Sequence, residues 1–217
     1  MSRAERLAVM LAHTRLIPVI AIEDADAAVP LAQALVAGGV TTLEVTLRSA
    51  AAPEAIRRIV REVAQASVGV GTVRSADDVL RAIDLGAKFA VSPGATPKIY
   101  AACASVNLPL LPGAATASEI LTALDNGYEV IKFFPAVAAG GIPAINAFRG
   151  PFPTLQFCPT GGIDEGSFPQ WLRVPGVIAV GGSWLAPADK IKAGDWQGIT
   201  EIARRSIARQ TALLSSA

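Results

Sequence analysis

Short runs of β-branched and aromatic residues recur along the chain, and each is followed by a longer alanine-rich stretch with apolar positions at helical spacing. The strand-like runs cover residues 16–22, 41–47, 68–73, 88–92, 108–111, 129–134, 154–159 and 177–180. Helical patterns fill the gaps, among them 26–37, 53–64, 76–85, 97–105 and 118–126, with a last one from Trp196 to about residue 213. Each strand reads as nearly continuous apolar sequence, which is how a strand buried on both faces looks. Strand and helix in alternation predict a parallel sheet, and eight such units predict closure into an α/β fold of the (β/α)8 TIM barrel type. An open doubly wound sheet fits less well. It needs a glycine-rich turn after the first strand, and that strand ends Ala21-Ile22-Glu23-Asp24.

Helix boundaries agree with this register. Gly38-Gly39, Gly86 and Asn126-Gly127 each stop a helix just before a new strand. Thr116 and Glu119 form a capping-box pattern, so Glu119 is expected to cap a helix rather than to catalyse. The segment from Met1 to Arg6 predicts an extra N-terminal helix and does not read as a signal peptide. No linker or composition shift divides the chain, so residues 1–217 are expected to form one domain.

Composition narrows the function class. With 52% hydrophobic and 17% charged residues the chain is not disordered, and no apolar run approaches the roughly 18 residues of a membrane span. Nineteen basic residues against eighteen acidic ones give a net charge of +1 without clustering, so neither nucleic acid nor a membrane surface is the expected partner. Two cysteines, Cys103 and Cys158, make no disulfide framework and fit a reducing, cytoplasmic setting. The sole histidine, His13, precedes the first strand, so a histidine-ligated metal site is not expected.

Barrel sites gather at the carboxyl ends of the strands. The sixth strand reads Val130-Ile131-Lys132-Phe133-Phe134, with a lysine in its middle. Such a lysine could send its head to water or pair with a carboxylate. Burial also favours the neutral amine that attacks carbonyl carbon, which makes Lys132 a candidate Schiff-base nucleophile. The second strand places Glu44 and Thr46 on one face, with Arg48 at its end. Glu44 is either an ion-pair partner of Lys132 or the group that moves protons around it. Arg48 has the fork geometry for a substrate carboxylate, or is an exposed rim charge. Thr72, after Gly71, would point where Glu44 points, or is simply a strand former. Two glycine pairs, Gly161-Gly162 and Gly181-Gly182, close the seventh and eighth strands, where this architecture usually binds phosphate through backbone N–H groups. Ser183 could add a hydroxyl donor. Cys158 lacks a histidine to activate it and is expected to pack. Trp171 and Trp184 are open between core and interface.

These segments together resemble the 2-dehydro-3-deoxy-phosphogluconate aldolase family, which includes 4-hydroxy-2-oxoglutarate aldolases. The matching pieces are Pro18-Val19-Ile20, Glu44-Val45-Thr46-Leu47-Arg48, Gly71-Thr72-Val73, Val91-Ser92-Pro93-Gly94, Lys132-Phe133-Phe134-Pro135-Ala136, Pro159-Thr160-Gly161-Gly162-Ile163 and Val180-Gly181-Gly182-Ser183-Trp184. The resemblance implies an aldehyde-lyase that needs no metal and no cofactor, works as a homotrimer and releases pyruvate. It implies Lys132 as the imine-forming lysine, Glu44 as the base, and Arg48 and Thr72 at the pyruvate carboxylate. Pro93, Phe134 and Thr160 would line that pocket, and Gly161, Gly162, Gly181, Gly182 and Ser183 would take the phosphate. Ser49 stands where threonine is frequent in the family, and Val70 where alanine is. The expected substrate is the phosphogluconate-derived acid. The alternatives are 4-hydroxy-2-oxoglutarate, the galactonate-derived phosphate (whose relatives end the second strand differently), and a phosphate-binding barrel in which Lys132 and Glu44 are only a buried pair.

Overall fold

The computed structural model describes residues 1–215. The strands are β1 (Leu16–Ile20), β2 (Thr42–Thr46), β3 (Ser67–Gly71), β4 (Phe89–Val91), β5 (Leu110–Leu111), β6 (Gly113–Ala114), β7 (Val130–Phe133), β8 (Gln156–Phe157) and β9 (Val180–Gly182). The helices are α1 (Arg3–Thr14), α2 (Ala28–Ala37), α3 (Ala52–Glu62), α4 (Ala76–Asp84), α5 (Pro97–Ser105), α6 (Ala117–Asp125), α7 (Gly141–Arg149), α8 (Phe168–Leu172), α9 (Ala188–Ala193) and α10 (Trp196–Ser215). All strand pairs are parallel, in a six-stranded sheet ordered β5-β4-β3-β2-β1-β9 and a three-stranded sheet ordered β6-β7-β8. The chain itself joins the sheets at Pro112, between β5 and β6; a proline has no N–H for the ladder. Two isolated parallel bridges lie beyond the sheet edges, Phe157 of β8 to Val177 and Thr160 to Gly181 of β9.

The helix caps form where the sequence placed them. Thr116 accepts from the Glu119 N–H while the Glu119 carboxylate accepts from the Thr116 N–H, so Glu119 is held as a cap. Ser2 and Glu5 form a second capping box, which starts α1. Gly39, Gly86 and Gly127 all have positive φ, the backbone region that lets a helix end abruptly.

Two apolar layers result. The larger lies between sheet and helices and includes Leu31, Leu35, Leu43, Val45, Ile56, Ile59 and Phe133. The smaller contains Ile17, Phe89, Val91, Leu111, Val130, Cys158 and Ala179, one side chain or two from each of several strands. Leu7 and Leu11 of α1 pack into this cluster and are fully buried. The extra N-terminal helix is therefore a plug for the amino-terminal end of the strands, and it leaves the opposite end free for a site.

Every strand differs from its expected bounds, most of them by one or two residues at an end; the fifth is followed past Pro112 by a further short strand, β6, and the last two differ most. The seventh is shorter, two residues instead of six. The eighth lies three residues later, because Gly181 and Gly182 are inside it, paired with Ile17 and Pro18, rather than in a turn after it. Side chains packed over both glycines require this: a Cβ on Gly181 would stand 2.4 Å from Thr160 Oγ1, and one on Gly182 would stand 1.9 Å from the Trp184 ring.

Candidate active site

Lys132 lies in β7 with only 4% of its side chain exposed, and Glu44 lies in β2 with 3%. Lys132 Nζ donates to both carboxylate oxygens of Glu44, at 3.0 and 3.2 Å. The two strands are not neighbours, so the side chains meet across the interior of the fold rather than along a ladder. Room for the carboxylate comes from β3, where a Cβ on Gly71 would stand 2.4 Å from Glu44 Oε1. A charged pair this deeply buried is poor evidence for stability, since desolvation offsets most of the attraction. It is the arrangement that nucleophilic catalysis by an amine needs, a lysine with an acceptor for its proton in contact.

Lys132 is at the base of a cavity of about 420 Å³ at the carboxyl ends of the strands. Thr46, Arg48, Phe134, Thr160, Gly161, Gly162, Gly182 and Ser183 also line it. The Phe134 ring centroid stands 5.4 Å from Lys132 Nζ, a distance at which an aromatic face stabilises positive charge on nitrogen. Thr160 is buried and its hydroxyl is directed to the Cys158 carbonyl, at 3.4 Å. At the open side Arg48 is exposed and its Nε donates to Thr72 Oγ1, at 3.0 Å. The Arg48 segment is tied to the tip of β1 on both sides: Thr46 Oγ1 donates to the Ile20 carbonyl at 2.9 Å, and the Ser49 hydroxyl donates to the Ile22 carbonyl.

Some expected positions turn out differently. Thr72 does not continue the alternation of β3 to share the direction of Glu44. It lies just past the strand with φ of +63°, strained for a β-branched residue, and meets Arg48 instead. Thr72 and Pro93 are not among the cavity-lining residues, and Pro93 is exposed. Gly181 is also outside the lining and serves as packing space beside Thr160.

Gly161, Gly162, Gly182 and Ser183 converge on one side of the cavity. Gly161 and Gly162 both have positive φ, +103° and +78°. Among the described residues, the backbone N–H groups of Gly161, Gly162, Ile163 and Ser183 donate to no other protein group. Unpaired backbone N–H groups beside one cavity are the kind of donor set that can take an anion without a side-chain charge.

Sequence reasoning missed the apolar lining: Val19, Ala21, Ile163, Ala186 and, from α9, Ile191. No local pattern marks these residues. Trp184 lines the cavity and Trp171 is buried in the core beside it. Cys158 is fully buried and burial pushes its thiol up to about 12. His13 is exposed in the last turn of α1. Among the described residues, no group of three or more His, Cys, Asp or Glu is placed to hold a metal ion, and no helix is long and apolar enough to cross a membrane.

Comparison with known proteins adds the chemistry of relatives. The family model described as "KDPG and KHG aldolase" matches residues 7–202. The 2-dehydro-3-deoxy-phosphogluconate aldolase of Dickeya dadantii is 47% identical over 196 residues, 90% of this chain and 92% of its own. A KDPG aldolase from Legionella pneumophila, solved with pyruvate captured as a covalent carbinolamine intermediate, matches with a TM-score of 0.90. It is 42% identical, and the match covers 92% of this chain and 97% of that one. The 2-keto-3-deoxy-6-phosphogluconate aldolase of Zymomonas mobilis, solved with 3-phosphoglycerate, matches with a TM-score of 0.88 at 42% identity, over 94% of this chain and 96% of that one. With a family model spanning nearly the whole chain and relatives this similar, the chain belongs to the KDPG and KHG aldolase family.

Proposed function

We propose that this protein is a class I aldolase that cleaves 2-dehydro-3-deoxy-6-phosphogluconate to pyruvate and glyceraldehyde 3-phosphate. The observation that carries the reading is the Lys132–Glu44 pair at the base of the cavity. Nζ of Lys132 attacks the ketone carbon, and Glu44 takes the proton it must lose and returns one to the departing oxygen, so that water leaves and an imine forms. The protonated imine draws in the electron pair of the bond between the third and fourth carbons. That bond breaks as the fourth-carbon hydroxyl gives its proton to the Glu44 carboxylate, releasing the aldehyde and leaving Glu44 with the proton that the enamine carbon then takes. The enamine left on Lys132 is protonated at its terminal carbon, and water hydrolyses the imine to free pyruvate. The pyruvate captured as a carbinolamine in the Legionella relative corresponds to the last adduct on this route, formed when water adds to the pyruvate imine.

Arg48 and Thr72 hold the carboxylate of the pyruvyl end, with Phe134 and Thr160 beside it and Pro93 further out. The phosphate lies against the N–H groups of Gly161, Gly162 and Ser183, with Gly182 keeping the floor low. The 3-phosphoglycerate bound by the Zymomonas relative fits this reading of the glycine loops. We further read the two sheets as one closed (β/α)8 barrel forming a single domain, supported by the continuous chain at Pro112 and the Thr160–Gly181 bridge. The family resemblance supports a homotrimer, and two buried free cysteines fit the cytoplasm.

Pyruvate release from the gluconate-derived phosphate, the galactonate-derived phosphate and 4-hydroxy-2-oxoglutarate, measured side by side, tests the assignment. The gluconate-derived phosphate should give the highest kcat/KM. Preference for either other acid would reassign the substrate, and no pyruvate from any of them would leave Lys132 and Glu44 as a structural pair.

A further inference from the structure

Both glycine loops are tied to the C-terminal helix, α10. In the loop after β8, Asp164 and Ser167 close a turn: Asp164 Oδ1 accepts from the Ser167 N–H and hydroxyl, both at 2.8 Å, and Ser167 Oγ accepts from the Asp164 N–H at 3.0 Å. Within this turn Glu165 receives Arg205 of α10 through two nitrogens, at 3.2 and 3.3 Å. The Glu165 carbonyl accepts from Arg209 Nη1 at 2.7 Å, and the Arg209 guanidinium lies over the Phe168 ring, 5.3 Å from its centroid. In the loop after β9, the Trp184 indole N–H donates to the hydroxyl of Ser206, a fully buried residue of α10, at 3.4 Å. The Phe168 and Trp184 rings then stack on each other, centroids 5.5 Å apart and planes within 6°. Arg209, Phe168 at the start of α8, Trp184 in the loop after β9 and Ser206 thus form one closed circuit from α10 through the helix that ends the first loop, across to the second loop and back. None of the α10 members lines the cavity.

We propose that Ser206 and Arg209 are positioning residues for phosphate recognition: through the Phe168–Trp184 stack they fix the distance between the Gly161–Gly162 loop and the Gly182–Ser183 loop. This rests on the phosphate reading of those loops. A cradle made of backbone N–H groups works only if its two halves hold a set separation, because a backbone donor cannot reorient as a side chain does. The circuit supplies that constraint from outside the cavity. The lysine pole is built on β2 and β7, and among the described residues neither Lys132 nor Glu44 has a hydrogen bond, ion pair or ring contact with a member of the circuit.

The test uses the full-length protein carrying Ser206→Ala, Arg209→Ala, Arg209→Lys or, as the reference for direct phosphate contact, Ser183→Ala. Two quantities are read: KM for 2-dehydro-3-deoxy-6-phosphogluconate, and the pyruvate concentration that half-saturates borohydride trapping at Lys132. Pyruvate carries no phosphate and reports the lysine pole alone. Ser206→Ala and Arg209→Ala should each raise KM about fivefold to tenfold, the scale of one lost polar contact, and leave the pyruvate half-saturation unchanged. Arg209→Lys, which keeps the cation over Phe168, should recover most of the loss. Arg209 is exposed, so its variants leave the core intact. Wild-type KM in both alanine variants, with KM raised in Ser183→Ala, would overturn the inference and leave the phosphate reading standing. Parallel shifts in KM and pyruvate half-saturation would also overturn it, since that is what general loosening produces. A kcat/KM for the unphosphorylated 2-dehydro-3-deoxygluconate equal to that for the phosphorylated acid would remove the phosphate reading, and the inference with it.

Discussion

The two poles of the cavity are built in opposite ways. At the lysine pole the chemistry sits on side chains, Lys132 and Glu44, which are buried, project from strand interiors and touch each other at 3.0 Å. At the proposed phosphate pole the donors are unpaired backbone N–H groups on loops, with exposed Ser183 as the added hydroxyl. The difference follows from the task. A nucleophile must be kept out of water and beside its proton acceptor, which only the packed interior provides. A phosphate arrives and leaves with its charge, so it is better met at an open edge by dipoles that carry no countercharge of their own. Damage to the first pole should therefore remove turnover, and damage to the second should weaken binding.

The largest expected effect is Lys132→Ala, which should lower kcat by at least about 10⁴-fold, since no other amine can form the imine. More than a tenth of wild-type activity in that variant would break the comparison at its stronger end. Glu44→Gln keeps the shape and removes the base, and kcat should fall about 10²- to 10⁴-fold. Next is Gly71→Ala, which leaves both reacting groups in place and pushes on the carboxylate. Overpacking of this kind costs about 1–3 kcal/mol, so thermal melting should shift down and kcat should drop along with it. Melting lowered with kcat unchanged would show that Gly71 shapes the core and not the base. Ser183→Ala should act mainly on KM for the phosphorylated acid, by about tenfold, the scale of a hydrogen bond to a charged group. A fall in kcat alone would contradict the separation of the poles. The smallest effect concerns Cys158, whose thiol burial pushes up to about 12. It should stay protonated at pH 8 and resist alkylation in the folded protein, and mass spectrometry after iodoacetamide treatment checks this.

The same contrast explains what could be read from the chain. Lys132 and Glu44 were legible because a charge inside an apolar strand contradicts its surroundings, and a contradiction of that kind stands out in a local window. The alternation of strands and helices, the Thr116–Glu119 cap and the glycine helix stops are likewise local. The glycine pairs mark one side of the cavity, through Gly161, Gly162 and Gly182, but misplace the eighth strand. A glycine that makes room for Thr160 or Trp184 looks, in sequence, the same as a glycine that turns the chain. Thr72 was assigned its direction by strand alternation, and the left-handed backbone that redirects it to Arg48 leaves no trace in residue type. Ile191 of the lining and the circuit through Ser206 and Arg209 arise from tertiary packing between segments distant in sequence, and no local pattern encodes them.

Turnover depends on an imine between Lys132 and the substrate ketone. Incubation with pyruvate and borohydride, followed by peptide mass spectrometry, tests it most directly. The account predicts one stable adduct, on the peptide carrying Lys132, absent from Lys132→Ala and formed more slowly in Glu44→Gln. An adduct on another lysine, or none on protein that still cleaves its substrate, would contradict it.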